Sequence, residues 1–172
     1  DIVLIDLRSG KKRTLTTDSG MDNAHPAYSP DGRQLVQVAF NTRRAFNDQG
    51  HLRLVDRKTG ALTRLAPRFD RQVTHVRFAA DGAALLFACE DRGRVPLCRL
   101  DLAPHALSMV VQGGTIGDSA QSRAGSVIAF DRASAAHPPA LYALRGDGSG
   151  ERAIESLNDA LLARHAFGET FG

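Results

Sequence analysis

The strongest constraint on this chain is a unit written three times over: an extended run, a glycine turn, a second run, a longer loop, then a further run ending at an Asp-to-Gly turn. A repeat of this size specifies an architecture before any single residue specifies a chemistry. Ser29-Pro30-Asp31-Gly32 returns fifty residues later as Ala79-Ala80-Asp81-Gly82, and more faintly as Ser122-Arg123-Ala124-Gly125. The other half of the unit repeats as well. Leu4-Ile5-Asp6-Leu7-Arg8-Ser9-Gly10 is echoed by Leu54-Val55-Asp56-Arg57-Lys58-Thr59-Gly60, and Arg99-Leu100-Asp101-Leu102 carries a third copy. The fourth, Leu141-Tyr142-Ala143-Leu144-Arg145-Gly146-Asp147-Gly148, lacks the Asp before its turn.

Alternating apolar and polar residues on either side of each turn predict hairpins. Strands are expected over 34–40, 51–56, 73–78, 83–89, 95–102, 126–131 and 139–144. In Ser29-Pro30-Asp31-Gly32 the proline presets φ for a tight turn and the glycine accepts a positive φ. Asp6 and Asp56 stand where a carboxylate can accept the backbone N–H groups of the turn that follows. Two hairpins per unit make a four-stranded antiparallel sheet, and four strands in some forty residues is the spacing of a β-propeller blade. The fold class expected is therefore all-β, a propeller segment of about three blades plus a leading hairpin. The expected divisions are 1–17 (the outer hairpin of a preceding blade), blades at 21–66, 70–112 and 115–155, and an exit segment at 156–172. Propellers close with roughly four to eight blades, so this chain is expected to be part of a longer protein, or else a small four-bladed ring completed by its two ends.

Composition is ordinary for a soluble domain, with 42% hydrophobic and 24% charged residues. No run approaches the length of a membrane-spanning helix, and a compartment, cytoplasmic or periplasmic, is not fixed. The net charge of +3 is scattered and interrupted by acids, without a basic stripe interleaved with aromatics, so neither nucleic acid nor membrane is expected as a partner. The densest basic run, Lys11-Lys12-Arg13, reads as a solvated hairpin tip. Cys89 and Cys98 flank a hairpin whose turn is expected at Gly93-Arg94 and could lie opposite one another, as buried thiols or as a disulfide. Two cysteines without a histidine at ligand spacing do not predict zinc.

Catalytic signatures are missing from the sequence. There is no Gly-x-Ser-x-Gly elbow and no Gly-Lys-Ser/Thr loop, and Gly146-Asp147-Gly148-Ser149-Gly150 reads as a hairpin turn. His25, His51, His75, His105, His137 and His165 are dispersed and read as loop or strand residues. No catalytic residue, metal or cofactor is expected. The remaining signal lies in the connections after the second strand of each unit, 41–50, 90–94 and 132–138, which should share one face and present Arg43, Arg44, Asp48, Glu90, Asp91, Arg92, Arg94, Arg132 and His137.

Those residues carry a resemblance. Leu86-Phe87-Ala88-Cys89-Glu90-Asp91-Arg92-Gly93-Arg94 followed by Leu97-Cys98-Arg99-Leu100-Asp101-Leu102 resembles a blade hairpin of prolyl-oligopeptidase-family serine peptidases, in the branch of dipeptidyl and acylaminoacyl peptidases. Ile128-Ala129-Phe130-Asp131-Arg132-Ala133-Ser134 with Pro138-Pro139-Ala140-Leu141-Tyr142 is similar to the final blade of that branch. Leu157-Asn158-Asp159-Ala160-Leu161-Leu162-Ala163 is similar to the segment that leaves it toward the hydrolase domain; by composition it reads as a short helix capped by Ser156. The Ser29-Pro30-Asp31-Gly32 region is equally similar to TolB-like propellers. The resemblance implies a non-catalytic wall that gates and orients short peptides for an α/β-hydrolase domain of the same parent, with Glu90, Arg92 and Arg94 as substrate-binding candidates. The alternative is a TolB-like module that binds a protein. Open blade edges would favour self-association of an isolated segment.

Overall fold

The computed structural model describes residues 1–17, 20–43, 49–155, 157–165 and 167. Within them β1 (Val3–Ile5) and β2 (Lys12–Thr14) form a two-stranded hairpin. A four-stranded antiparallel meander follows: β3 (Met21–Tyr28), β4 (Gln34–Asn41), β5 (His51–Asp56) and β6 (Leu62–Arg64). The second comprises β7 (Val73–Phe78), β8 (Ala84–Cys89), β9 (Leu97–Asp101) and β10 (Leu107–Val111). The third comprises β11 (Thr115–Gln121), β12 (Val127–Ser134), β13 (His137–Arg145) and β14 (Arg152–Ala153). A short helix, α1 (Asp159–Leu162), comes after them with Asn158 at its N-terminal flank. Ser156, expected to cap it, lies outside the described residues.

The repeated turns are one structure three times. The N–H of Gly32, Gly82 and Gly125 donates to the carbonyl of Ser29, Ala79 and Ser122, at 2.8 Å in each case. Each glycine has φ between 68° and 73°, where a Cβ is disfavoured. Asp31 and Asp81 each accept a further bond on Oδ1 from the N–H two residues on, that of Arg33 at 3.0 Å and of Ala83 at 2.9 Å. The third turn keeps its shape with Ala124 because the backbone bond and the glycine suffice. The Asp-to-Gly turns repeat as closely. Asp6 Oδ1 accepts from the N–H and Oγ of Ser9 at 2.7 and 2.8 Å, and Asp56 Oδ1 from the N–H and Oγ1 of Thr59 at the same distances. In the last copy the carboxylate has moved into the turn, where Asp147 accepts from Ser149 N at 2.9 Å.

The sheets stack face to face. Val36, Val38, Leu52 and Leu65 of the first sheet and its flank meet Val76, Leu85, Phe87 and Leu100 of the second. Leu86, Leu97 and Val111 of the second sheet meet Ile116, Ile128, Phe130 and Leu144 of the third. Strand β8 thus feeds both interfaces, alternate residues facing opposite neighbours, and all six of its residues are buried. Ile2 and Leu15 of the leading hairpin close over Leu35 and Val55. Among the described residues no sheet packs on the far face of the third sheet, and Val127 and Leu141 are 43% and 47% exposed there.

The first strand of each meander carries a bulge, between Ala24 and Ala27, Thr74 and Arg77, and Ile116 and Ser119. β3 and β7 lie against one another, which identifies the first strands as the innermost. Polar ties supplement the packing at this side. The Arg77 guanidinium donates to the carbonyl and hydroxyl oxygens of Ser119 and stands 3.9 Å from Asp118. Ala80 N donates to Gln121 Oε1 at 2.8 Å.

Phe87→Ala removes a fully buried ring from the first interface and should cost about 3–5 kcal/mol in urea denaturation. Arg77→Met keeps most of the stem but deletes the charged bonds to the third sheet, and should cost about 1–2 kcal/mol in the same measurement; an unchanged midpoint would show that the tie contributes nothing. The carboxyls of Asp6, Asp56 and Asp147 are held below their ordinary range by N–H groups of Ser9, Thr59 and Ser149, and Asp31 by the Ser29 hydroxyl. A depressed folded value stabilises the fold above the unfolded value and is lost as pH falls through the folded one. The melting temperature should therefore decline as pH drops below about 4, and Asp56→Asn should flatten that decline.

Candidate functional site

The turn after β8 sits one residue earlier than the sequence suggested. Arg94 N donates to Asp91 O at 3.0 Å and Asp91 N to Arg94 O at 2.8 Å, so the turn centres on Arg92-Gly93, not Gly93-Arg94. Both central residues have positive φ, 50° and 74°, the conformation of a type I′ hairpin. Its base is anchored to the chain entering the same sheet. Arg71 Nε donates to Asp91 Oδ1 at 2.9 Å, Glu90 N donates to Gln72 O at 3.0 Å, and Gly50 N donates to Gln72 Oε1 at 3.1 Å. Connections of the first and second sheets therefore meet at one end of the molecule.

Beside this turn lies a crevice of about 120 Å³ lined by Asp91, Arg92, Arg94, Pro96, Met109, Gln112 and Gly113. The turn after the second strand and the connection after the fourth form its two walls, as a meander requires. Arg92 and Arg94 are exposed and offer guanidiniums to an anionic or carbonyl-bearing ligand, while Asp91 is engaged by Arg71. Glu90 is exposed but does not line the crevice.

The expected rim is otherwise incomplete. Arg132 is not a loop residue: β12 continues to Ser134 and β13 begins at His137, leaving a two-residue turn. The Arg132 guanidinium lies 4.2 Å from the centre of the Tyr142 ring and pairs with Glu151 at 2.7 Å, which fixes it as an intra-sheet tie. His137 is exposed at the start of β13, and Arg43 follows β4 with its N–H on Asn41 Oδ1 at 3.0 Å. Arg44 and Asp48 lie outside the described residues.

A second polar strip was missed by reading histidines singly. His25, His75 and Asp118 each stand four residues before the repeated turn, on β3, β7 and β11, and each is exposed at the bulge of an innermost strand. His25 and His75 share a positive φ of 53° and 52°, and their rings are 6.2 Å apart. Aligning the repeats on their turns would have found the position. Among the described residues no group of three His, Cys, Asp or Glu stands close enough to hold a metal ion.

A larger basic groove of about 550 Å³, lined by Arg13, Gly32, Arg33, Asp56, Arg57 and Lys58, lies at the opposite end. Arg57 donates there to Gly32 O at 3.2 Å and Arg13 to Arg57 O, so these side chains join the leading hairpin to the first meander.

Cys89 and Cys98 are both buried and their sulfurs are 2.9 Å apart. They are not directly opposite, because the register pairs Cys98 with Phe87. No described helix is long and apolar enough to cross a membrane.

No protein-family model matches the chain. It is 25% identical over 165 residues to dipeptidyl-peptidase 5 of Porphyromonas gingivalis, covering 95% of this chain and 24% of that protein. The chain thus spans about a quarter of this curated relative's length. Putative TolB from Agrobacterium tumefaciens superposes with a TM-score of 0.74 at 16% identity, over 89% of this chain and 55% of that one. Acylaminoacyl peptidase from Pyrococcus horikoshii superposes with a TM-score of 0.70 at 16% identity, over 92% and 23%. The propeller domain of the trilobed protease from Pyrococcus furiosus gives 0.68 at 16%, over 88% and 42%. Both propeller types that the sequence resembles are therefore among its structural neighbours. The chain is an all-β propeller segment, similar to the propellers of acylaminoacyl-peptidase-type hydrolases and of TolB.

Proposed function

We propose that this chain is the non-catalytic propeller portion of a serine exopeptidase or oligopeptidase, gating short peptides and orienting them for an α/β-hydrolase domain of the same parent protein. The observation that carries the reading is the similarity to dipeptidyl-peptidase 5, which runs through 95% of this chain yet occupies 24% of that protein. The crevice beside the Arg92-Gly93 turn supplies the contact: Arg92 and Arg94 would hold peptide carbonyls or a carboxylate, and Glu90 on the same turn would meet a peptide ammonium. The far face of the third sheet, with Val127 and Leu141 exposed, would meet a further blade or a second copy of the chain.

A second reading is a TolB-like module that binds a protein partner, favoured by the TM-score of 0.74 to a putative TolB. The two part on one experiment. The full-length parent, treated with a fluorophosphonate probe, should be labelled on serine and should hydrolyse dipeptidyl or acyl-aminoacyl chromogenic substrates. Arg92→Ala together with Arg94→Ala should then raise KM by about 3–30-fold while leaving the labelling rate unchanged. Absence of both labelling and turnover would favour the protein-binding module.

A further inference from the structure

We propose that Cys89 and Cys98 form a redox-closed disulfide that fastens the Arg92-Gly93 turn to the buried middle sheet. The two are the only cysteines in the sequence, and they are diagonal neighbours on adjacent strands inside the interface between the first and second sheets. Their sulfurs are 2.9 Å apart and each residue is 1% exposed. A disulfide is about 2.05 Å long, so closure needs an approach of less than about 1 Å.

The position explains what the bond would do. The regular ladder between β8 and β9 ends at Ala88 and Leu97, and the turn is closed by the Asp91–Arg94 bridge. Between them stands Pro96, which has no N–H to donate. The two chains are joined across that gap by one backbone bond, from Cys89 N to Pro96 O, and it is long at 3.3 Å. Glu90 N is already given to Gln72 O. The hairpin is thus weakest where Cys89 sits, and a covalent link from Cys89 to Cys98 would span the gap and hold the turn whatever it binds.

The chemistry is thiol–disulfide exchange with a small disulfide such as oxidised glutathione. The two thiols share a hydrogen bond that lowers the Cys89 value, while that contact and burial raise Cys98. The Cys89 thiolate attacks a sulfur of the small disulfide and expels one glutathione thiolate. The Cys98 sulfur, losing its proton, then attacks Cys89 and expels the second. Two protein thiols are oxidised, one small disulfide is reduced, and the two protons end on two glutathione thiols. Burial confines the first attack to the folding hairpin or to openings of its turn end.

The full chain should be equilibrated with reduced or with oxidised glutathione, denatured in acid, alkylated and weighed intact. The oxidised sample should be lighter than the unalkylated reduced chain by about 2 Da and take no alkyl group, whereas the reduced sample takes two. Two alkylations after oxidation, or a persistent glutathione adduct on either cysteine, would overturn the proposal. Trypsin cleavage after Arg92 and Arg94 should slow several-fold on oxidation in the native chain, and should not respond to redox state in Cys98→Ala. Equal cleavage of both redox states in the native chain would overturn the fastening role even if the bond forms.

Discussion

The structure depends on one constraint: a four-stranded sheet with two apolar faces must bury both. The middle sheet meets it because β8 is placed between neighbours on each side, with Leu85 and Phe87 given to one interface and Leu86 to the other. Buried on both faces, such a strand loses the alternation of a half-exposed one and becomes a continuous apolar run. That is the run Ala84-Leu85-Leu86-Phe87-Ala88-Cys89. At about 25 cal/mol per Å² of apolar surface removed from water, these interfaces dominate the favourable energy. Hydrogen bonds between sheets, such as those of Arg77, orient sheets that the apolar faces already attract.

With the sheets stacked in this way, turn chemistry decides what reaches the ends. Connections after the second and fourth strands emerge together, so the Arg92-Gly93 hairpin and the Gln112-Gly113 connection become two walls of one crevice although they are twenty residues apart in sequence. The first strands come together on the inner side and carry His25, His75 and Asp118 to equivalent places. Function in such a molecule is therefore assigned by position within the repeat. His51 and His75 are the same residue type, but only His75 lies at a bulge of an innermost strand, 6.2 Å from the ring of a second histidine.

Much of this was legible in the residues. The strands at 51–56 and 73–78 fall where alternation and turn signals put them, and the glycine turns have the predicted backbone geometry. Two of the three innermost strands, Met21–Tyr28 and Thr115–Gln121, were less visible, because they share the bulge of Val73–Phe78 but lack its apolar residues, so a period of two has little to show on them. The outermost strands, only two to five residues long, are too short for a pattern. Arg132 was placed on a loop because β12 was expected to end at Asp131; its ring contact with Tyr142 and its pair with Glu151 hold the strand two residues beyond Arg132. The cysteines were misaligned for a similar reason. The left-handed conformation of Arg92, uncommon for a residue with a Cβ, moved the turn by one position and made a facing pair a diagonal one.

By itself the sequence determined the repeat, the turns and hence the architecture, because glycine, proline and aspartate act through the few residues beside them and alternation acts along one strand. Only the tertiary structure decided which of the dispersed charged and thiol groups meet. Packing of one sheet on the next sets the distances between Arg77 and Ser119 and between His25 and His75, and register between strands sets that between Cys89 and Cys98. These separations come from the stacking and twist of whole sheets, which no local pattern encodes.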